Sequence, residues 1–337
     1  MKSANKIDKK YIVELYSKLI NKDRIALSQA ITLVESTIVK HQTFAEDLLD
    51  MCLPFSGNAI RIGITGTPGV GKSTFIESLG QKYIDKGQRV AVLTIDPTSP
   101  INQGSILGDK SRMTILSQSK SAYIRSSPSK TVLGGTTDRT RETMILCESA
   151  GYDVIIIETV GVGQSETEIS HMVDLILLLV LPGGGDEIQG IKRGIVEIAD
   201  MVIVNKKDNF KNTIVQETVN TFKFAMHVRP NIKRIKICAV MTCSALFHEG
   251  MDEILEELEG YFYSIIESGY LDSNRASQTQ VWLESRIHQE ALIQIKAVIN
   301  NHEYGKIVKQ KVLSKEWSIA YGVRKIVDKI MNLNKSS

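Results

Sequence analysis

Gly66-Thr67-Pro68-Gly69-Val70-Gly71-Lys72-Ser73, the stretch GTPGVGKS, decides how this chain is read. It fits the pattern G-x-x-x-x-G-K-[ST] at every position. The apolar run IRIGIT, Ile60 to Thr65, precedes it, and the helix-compatible run STFIESLGQKYI follows from Ser73. A strand, a glycine loop and a helix in that order make a phosphate cradle. The glycines let backbone N–H groups turn inward, and the helix N-terminus adds a partial positive charge. The segment Gly66 to Thr74 is therefore expected to hold a nucleoside triphosphate. Lys72 would reach its β- and γ-phosphates, and Ser73 would ligate Mg²⁺.

Outward from the loop, short apolar runs alternate with helical stretches. The runs are IRIGIT, RVAVLTID, AYIRS, DVIIIET, VDLILLLVL, MVIVN and RIKICAVMT. Runs this apolar suit strands covered on both faces, so the pattern predicts an α/β fold with a central, mostly parallel sheet. Before the loop, YIVELYSKLINKDRIALSQAITLVEST has apolar residues at three- and four-residue steps and no Gly or Pro, which predicts helix until LPFSGNA interrupts it. After Ser244 the chain returns to helix, and from about residue 270 it is polar and poor in Gly. The expected divisions are a helical N-terminal extension over 1–57, a P-loop NTPase domain over 58–265 and a helical C-terminal arm over 266–337.

Composition narrows the function classes. A net charge of +3 with Lys and Glu intermixed offers no nucleic-acid stripe and no polybasic membrane anchor. The longest apolar run, Leu175 to Leu181, is far short of the ~20 residues that span a bilayer. The N-terminal MKSANKIDKKYIVELY lacks the apolar core of a signal peptide. The cysteines Cys52, Cys147, Cys238 and Cys243 form no CxxC pair, as expected of reduced thiols in a cytoplasmic protein.

The base is read from a second motif. Asn205-Lys206-Lys207-Asp208 ends the run MVIVN and fits N-K-x-D. The Asp208 carboxylate can accept from guanine N1–H and the 2-amino group, donors that adenine does not offer there. Ser244-Ala245-Leu246, in TCSAL after the next run, is similar to the S-A element that backs the base in GTPases. GTP and GDP are thus the expected nucleotides. Three acids are candidates for the metal and the attacking water: Asp96 at the end of VAVLTID, Asp109 in GSILGDKSRM and Glu158 in DVIIIETVGVGQ. One Mg²⁺ could take Ser73 directly and the carboxylates through water. For each acid alone, a solvated loop residue or a helix cap is the competing assignment. Gly161, in E-x-x-G with Glu158, has an amide placed to sense the γ-phosphate. Gln164 is a possible water-orienting group.

Taken together, GTPGVGKST, DPTSPINQGSILGDKSRM, AYIRSSPSKTVLGG, RETMILCESAGYDVIIIETVGVGQSE and LPGGGDEIQGIKRGIVEIADMVIVNK closely resemble the methylmalonyl-CoA mutase-associated GTPases. These are the bacterial MeaB proteins and their mitochondrial counterpart MMAA, also known under the older name of arginine/ornithine (LAO/AO) transport ATPases. The resemblance covers roughly residues 10–330. It implies a homodimeric GTPase whose C-terminal arm dimerises. It also implies a partner, an adenosylcobalamin-dependent acyl-CoA mutase, whose cofactor loading and protection are gated by GTP. On this resemblance the phosphate-loop lysine falls on Lys72, and the metal-site acids fall on Asp96, Asp109 and Glu158. Pro182 to Lys192, PGGGDEIQGIK, matches an additional switch used for signalling to the mutase. From the residues alone, GGGDE is a strand-to-helix turn capped by Asp186. The chain departs from the family at Lys207, usually Ala, at TSPINQ in the first switch, and at SSP in place of PSP. Arg112, Arg125 and Arg139 are candidate positive charges near that switch, or plain surface arginines.

Two other functions compete. A nickel or cobalt metallochaperone needs His-rich tracts or paired cysteines, whereas the six His are scattered. The spacing CAVMTC fits a buried strand better than a metal site. A transport-system kinase would pass phosphate to a protein, and no feature demands that.

Overall fold

The computed structural model describes residues 7–96, 113–128, 135–159, 169–183, 193–228, 239–301 and 303–333. Its Cα packing forms two compact units, Met1–Gln278 and Thr279–Ser337.

The first unit is built on seven strands: β1 (Ile60–Gly66), β2 (Val90–Asp96), β3 (Ala122–Pro128), β4 (Val154–Thr159), β5 (Leu175–Val180), β6 (Met201–Val204) and β7 (Val240–Thr242). They pair in the order β3-β2-β4-β1-β5-β6-β7, and every pairing is parallel. Strand β1 is central, between β4 and β5. The chain leaves β1 for one side of the sheet and later crosses to the other. That reversal opens a crevice at the carboxyl ends of the strands, where α/β sheets bind ligands.

Helices cover both faces. Three precede β1: α1 (Lys9–Ile20), α2 (Arg24–Val34) and α3 (Val39–Cys52). Then come α4 (Lys72–Asp85), α5 (Thr114–Gln118), α6 (Gly135–Ser149), α7 (Arg193–Ile198), α8 (Asn212–Val228), α9 (Met251–Glu267) and α10 (Tyr270–Asn301). Side-chain caps begin the first two. Asp8 accepts from Tyr11 N at 2.9 Å, and Asp23 accepts from Ile25 N at 2.7 Å and Ala26 N at 3.1 Å.

Alternation along the strands divides the core. Val154, Ile156, Leu175 and Leu177 pack with Phe75, Ile76 and Leu79 of α4 and Leu258 and Phe262 of α9. Ile155, Ile157 and Ile176 point the other way and join Leu19, Leu27, Ile31, Leu48 and Leu146. The helical N-terminal stretch is thus the second covering layer of the sheet. This two-sided burial explains why Val154 to Ile157 of β4 and LILLLV of β5 are apolar without a break. Among the described residues no helix is long and apolar enough to cross a membrane.

The second unit begins within α10, at Thr279, and contains α11 (Glu303–Leu313) and α12 (Ile319–Leu333). Val308 is buried, while Ile319, Val323 and Val327 are exposed at four-residue steps along α12.

A buried ion pair fixes the entry to β1. Asp174, just before β5, accepts from Arg61 N at 2.8 Å and from Arg275 Nε at 2.8 Å and Nη2 at 2.6 Å. Its side chain is 0% exposed. Arg275, in the first turns of α10, also donates to Gly57 O and Ala59 O. Asp174→Ala leaves the partly buried Arg275 guanidinium without this counter-charge and the Arg61 N–H without its acceptor. The expected loss of stability is ~3–5 kcal/mol. It should appear as a lower urea midpoint with an unchanged slope. An unaltered midpoint would show that the pair carries no net stability.

Candidate functional site

The glycine loop lies between β1 and α4. Its backbone explains its composition. Gly66, Gly69 and Gly71 have φ of 150°, 82° and 95°, in the region that side chains disfavour. At Gly66 a Cβ would also stand 2.4 Å from Leu179 O of β5, and at Gly71 it would stand 2.8 Å from Asn205 Nδ2. Gly71 caps α4, so the first free N–H groups of that helix open at the loop. Val70 is fully buried and pins the loop to the core. Thr67 O accepts from Val70 N at 3.3 Å, which closes the turn around Pro68 and Gly69.

Lys72 and Ser73 begin the helix, with Thr74 beside them. The Lys72 ammonium donates to Gly66 O at 2.8 Å and Thr67 O at 3.2 Å, so it lies across the loop. Ser73 Oγ donates to Glu158 Oε1 at 3.4 Å, a long contact that brings hydroxyl and carboxylate to one place. Glu158 is 7% exposed, near the tip of β4, and pairs in register with Ile64 of β1. A hydroxyl beside a carboxylate is a hard oxygen set of the kind Mg²⁺ prefers, so these residues fit the metal. Asp96 ends β2; its side chain, Asp109, Gly161 and Gln164 lie outside the described residues.

The second motif meets the first through Asn205. Its Nδ2 donates to Val70 O at 2.9 Å. Its Oδ1 accepts from Ala245 N at 3.1 Å and Cys243 Sγ at 3.3 Å. Burial pushes the Cys243 thiol up to about 12, so it stays protonated and can donate. Lys206, in the left-handed region at φ 59°, donates from Nζ to Gly69 O at 2.7 Å. Lys207 N donates to Cys243 O at 3.1 Å, and Lys207 Nζ pairs with Glu249 at 3.2 Å. Asp208 is exposed. Ala245 is buried and Leu246 is 66% exposed. The buried Ser244 hydroxyl has no hydrogen-bond partner among the described residues.

The structure therefore gathers Gly66 to Ser73, Glu158, Asn205, Lys206 and Ala245 into one connected site, with Asp208 and Leu246 at its rim. Arg125 is instead ion-paired with Glu35, the residue that follows α2, and Arg139 with Glu142 at 3.1 Å. Arg112, Cys238, Asp186 and Lys192 are outside the described residues. Among those described, no three His, Cys, Asp or Glu side chains gather as a metal site. Sequence reasoning missed His248, whose Nδ1 lies 2.7 Å from Ser78 Oγ of α4. No pattern in SALFHEG pointed to it.

Gly71→Ala tests the close approach. It combines an unfavourable φ with a clash at Asn205, whereas Gly69→Ala meets nothing within 4 Å. A left-handed residue alone costs ~1–2 kcal/mol. Chemical denaturation should show Gly71→Ala losing clearly more stability than Gly69→Ala; equal losses would mean Asn205 yields freely.

The chain is similar to known proteins over most of its length. The family described as "Methylmalonyl Co-A mutase-associated GTPase MeaB" matches residues 27–301. "GTPase ArgK" of Escherichia coli is 42% identical over 308 residues, covering 91% of this chain and 92% of that protein. "Methylmalonic aciduria type A homolog, mitochondrial" of Mus musculus is 39% identical over 321 residues, covering 91% of this chain and 76% of that protein. A crystal structure of a protein named "LAO/AO transport system kinase" is 35% identical with a TM-score of 0.75, covering 97% of this chain and 100% of that one. The chain belongs to the MeaB family and is a P-loop GTPase.

Proposed function

We propose that this MeaB-family GTPase uses GTP hydrolysis as a switch on an adenosylcobalamin-dependent acyl-CoA mutase, gating cofactor loading and protecting the enzyme. The Asn205 bracket carries the guanine-nucleotide half of this reading. One buried amide ties the phosphate loop at Val70 to the base-side loop at Ala245, so the two ends of a guanine nucleotide are held by one rigid part. The family description and the mitochondrial relative's name support the mutase as partner.

In this proposal Gly66 to Thr74 wrap the phosphates, and the Lys72 ammonium neutralises charge that builds on the β- and γ-oxygens. Ser73, Asp96, Asp109 and Glu158 hold Mg²⁺, which when bound offsets phosphate charge. Asp208 accepts two hydrogen bonds from guanine, with Lys206, Ser244, Ala245 and Leu246 around the base. Gly161 senses the γ-phosphate. Phosphoryl transfer asks little covalent chemistry of the protein, so positioning and charge dominate. The exposed stripe Ile319, Val323 and Val327 supports a homodimer through the C-terminal arm. Cys52, Cys147 and Cys243 are free, buried thiols, which supports a reducing, cytoplasmic site of action.

The name given to the protein in the similar solved structure favours a second reading, a transport-system kinase. Labelled γ-phosphate separates the two. The switch releases free phosphate, and the kinase labels a protein.

Two variants test the proposal further. Asp208→Asn sets an amide donor against the guanine 2-amino group, and one hydrogen bond to a charged group is worth ~1.5–3 kcal/mol. Competition binding should show at least a ~10-fold loss of GTP affinity, with preference moving toward xanthosine triphosphate. Unchanged GTP preference would remove Asp208 from base recognition. Asp186→Ala and Lys192→Ala, in the segment that resembles a signalling switch, should leave basal hydrolysis within a few-fold and weaken its stimulation by purified mutase. Wild-type stimulation in both would reduce that segment to a turn.

A further inference from the structure

We infer that His248 is a positioning residue for guanine-nucleotide binding, acting through Ser78 to hold the base-side loop against the helix that follows the phosphate loop. The inference rests on the assignment of residues 205–208 and 244–246 to the base.

The loop is a tight turn. Ser244 N donates to Glu249 O at 3.0 Å and Glu249 N to Ser244 O at 3.1 Å, so four residues close between them. His248 is the last of the four and sits at φ 59°. Glycine would take that conformation without strain. A histidine there is useful only through its ring, and the ring is engaged: Nδ1 shares a hydrogen bond of 2.7 Å with Ser78 Oγ. Ser78 is 2% exposed and lies in the second turn of α4, the helix that begins at Lys72. The contact is the first of a row. Ser78, Lys82 and Lys86 follow at four-residue steps, one face of a helix. Lys82 pairs with Asp252 at 2.6 Å and Lys86 with Glu259 at 2.6 Å. His248 is the member of this row that belongs to the base-side loop itself.

The same loop presents Ala245 N to Asn205 Oδ1. A shift of the turn therefore moves the partner of Asn205, and Asn205 in turn grips Val70 of the phosphate loop. His248 touches neither nucleotide nor metal in this scheme; it sets where the loop stands. Affinity for guanine nucleotide should depend on it, while hydrolysis of bound GTP should not.

The test uses the full chain and fluorescent GDP. His248→Gly removes the ring but relieves the left-handed backbone, which offsets part of the lost hydrogen bond, so the melting temperature should change only modestly. GDP binding should nevertheless weaken about three- to tenfold, because the untethered loop spends less time in its binding-competent position. The turnover number at saturating GTP should stay within about twofold, since the chemistry depends on groups His248 does not touch. His248→Asn, which tolerates left-handed φ and keeps a hydrogen-bonding group, should recover part of the affinity. Ser78→Ala should weaken binding as His248→Gly does, with the double variant no weaker than either single one. Wild-type affinity in both single variants, or additive losses in the double variant, would overturn the role. Asp208→Asn is measured alongside. If it leaves GTP preference intact, the base assignment itself fails; if it shifts preference while His248→Gly does nothing, only the positioning role fails.

Discussion

The primary amide of Asn205 is a flat group of fixed reach, and three groups from two segments of the chain must come to it. Val70 offers a carbonyl, Ala245 an N–H and Cys243 a thiol. Each such bond is worth only ~0.5–1.5 kcal/mol net. Their weight lies in direction. Apolar burial on the sheet supplies most of the cohesion and has no directional preference. The amide accepts only one arrangement of the loops after β1, β6 and β7. Gly71 belongs to the same constraint, because any side chain there would stand against the Asn205 amide. Lys206 adds a second tether by reaching Gly69 O from a left-handed backbone.

The scaffold behind this amide holds the strand ends level. Strand β1 has neighbours on both sides, and its register places Ile64 opposite Glu158 and Gly66 opposite Leu179. The first pairing sets the acid next to the start of α4, where Ser73 stands. The second brings backbone so close that residue 66 has no space for a Cβ. At the other end of β1, Asp174 and Arg275 secure the strand's entry. The phosphate loop is thus held from below by charge, from the sides by strand pairing and from above by one amide.

Much of this was readable in order along the chain. The strand, glycine loop and helix around Gly66 to Ser73 are local, and so are N-K-x-D at Asn205 and the apolar runs of β4 and β5. Patterns of that kind report the conformation of the residues that carry them. Partnerships were not readable. Nothing near Asn205 says that it bonds to Val70, and nothing in YIVELYSKLI says that these helices cover the face of the sheet opposite α4. Arg275 and Asp174 look like ordinary surface charges in sequence, yet the Asp174 side chain is wholly buried. Arg125 was a candidate for the switch and is bound to Glu35 instead. His248 gave no signal, because its role arises from a turn conformation and a partner on a distant helix.

The central place of β1 also bears on how the protein is made. Both strands that flank it come later in the chain, β4 at Val154–Thr159 and β5 at Leu175–Val180. The amide that shapes its loop comes later still, and Ala245 last of all. During synthesis the glycine loop therefore emerges without the surfaces that define it. At ~5–20 residues per second, the stretch from Gly66 to Ala245 takes on the order of ten to thirty seconds to appear. Until β4 and then β5 follow, an apolar strand with unpaired edges is exposed to the cell. A nascent chain of this protein is open to early association with chaperones, and its glycine loop gains its full set of partners only once Ala245 has been made.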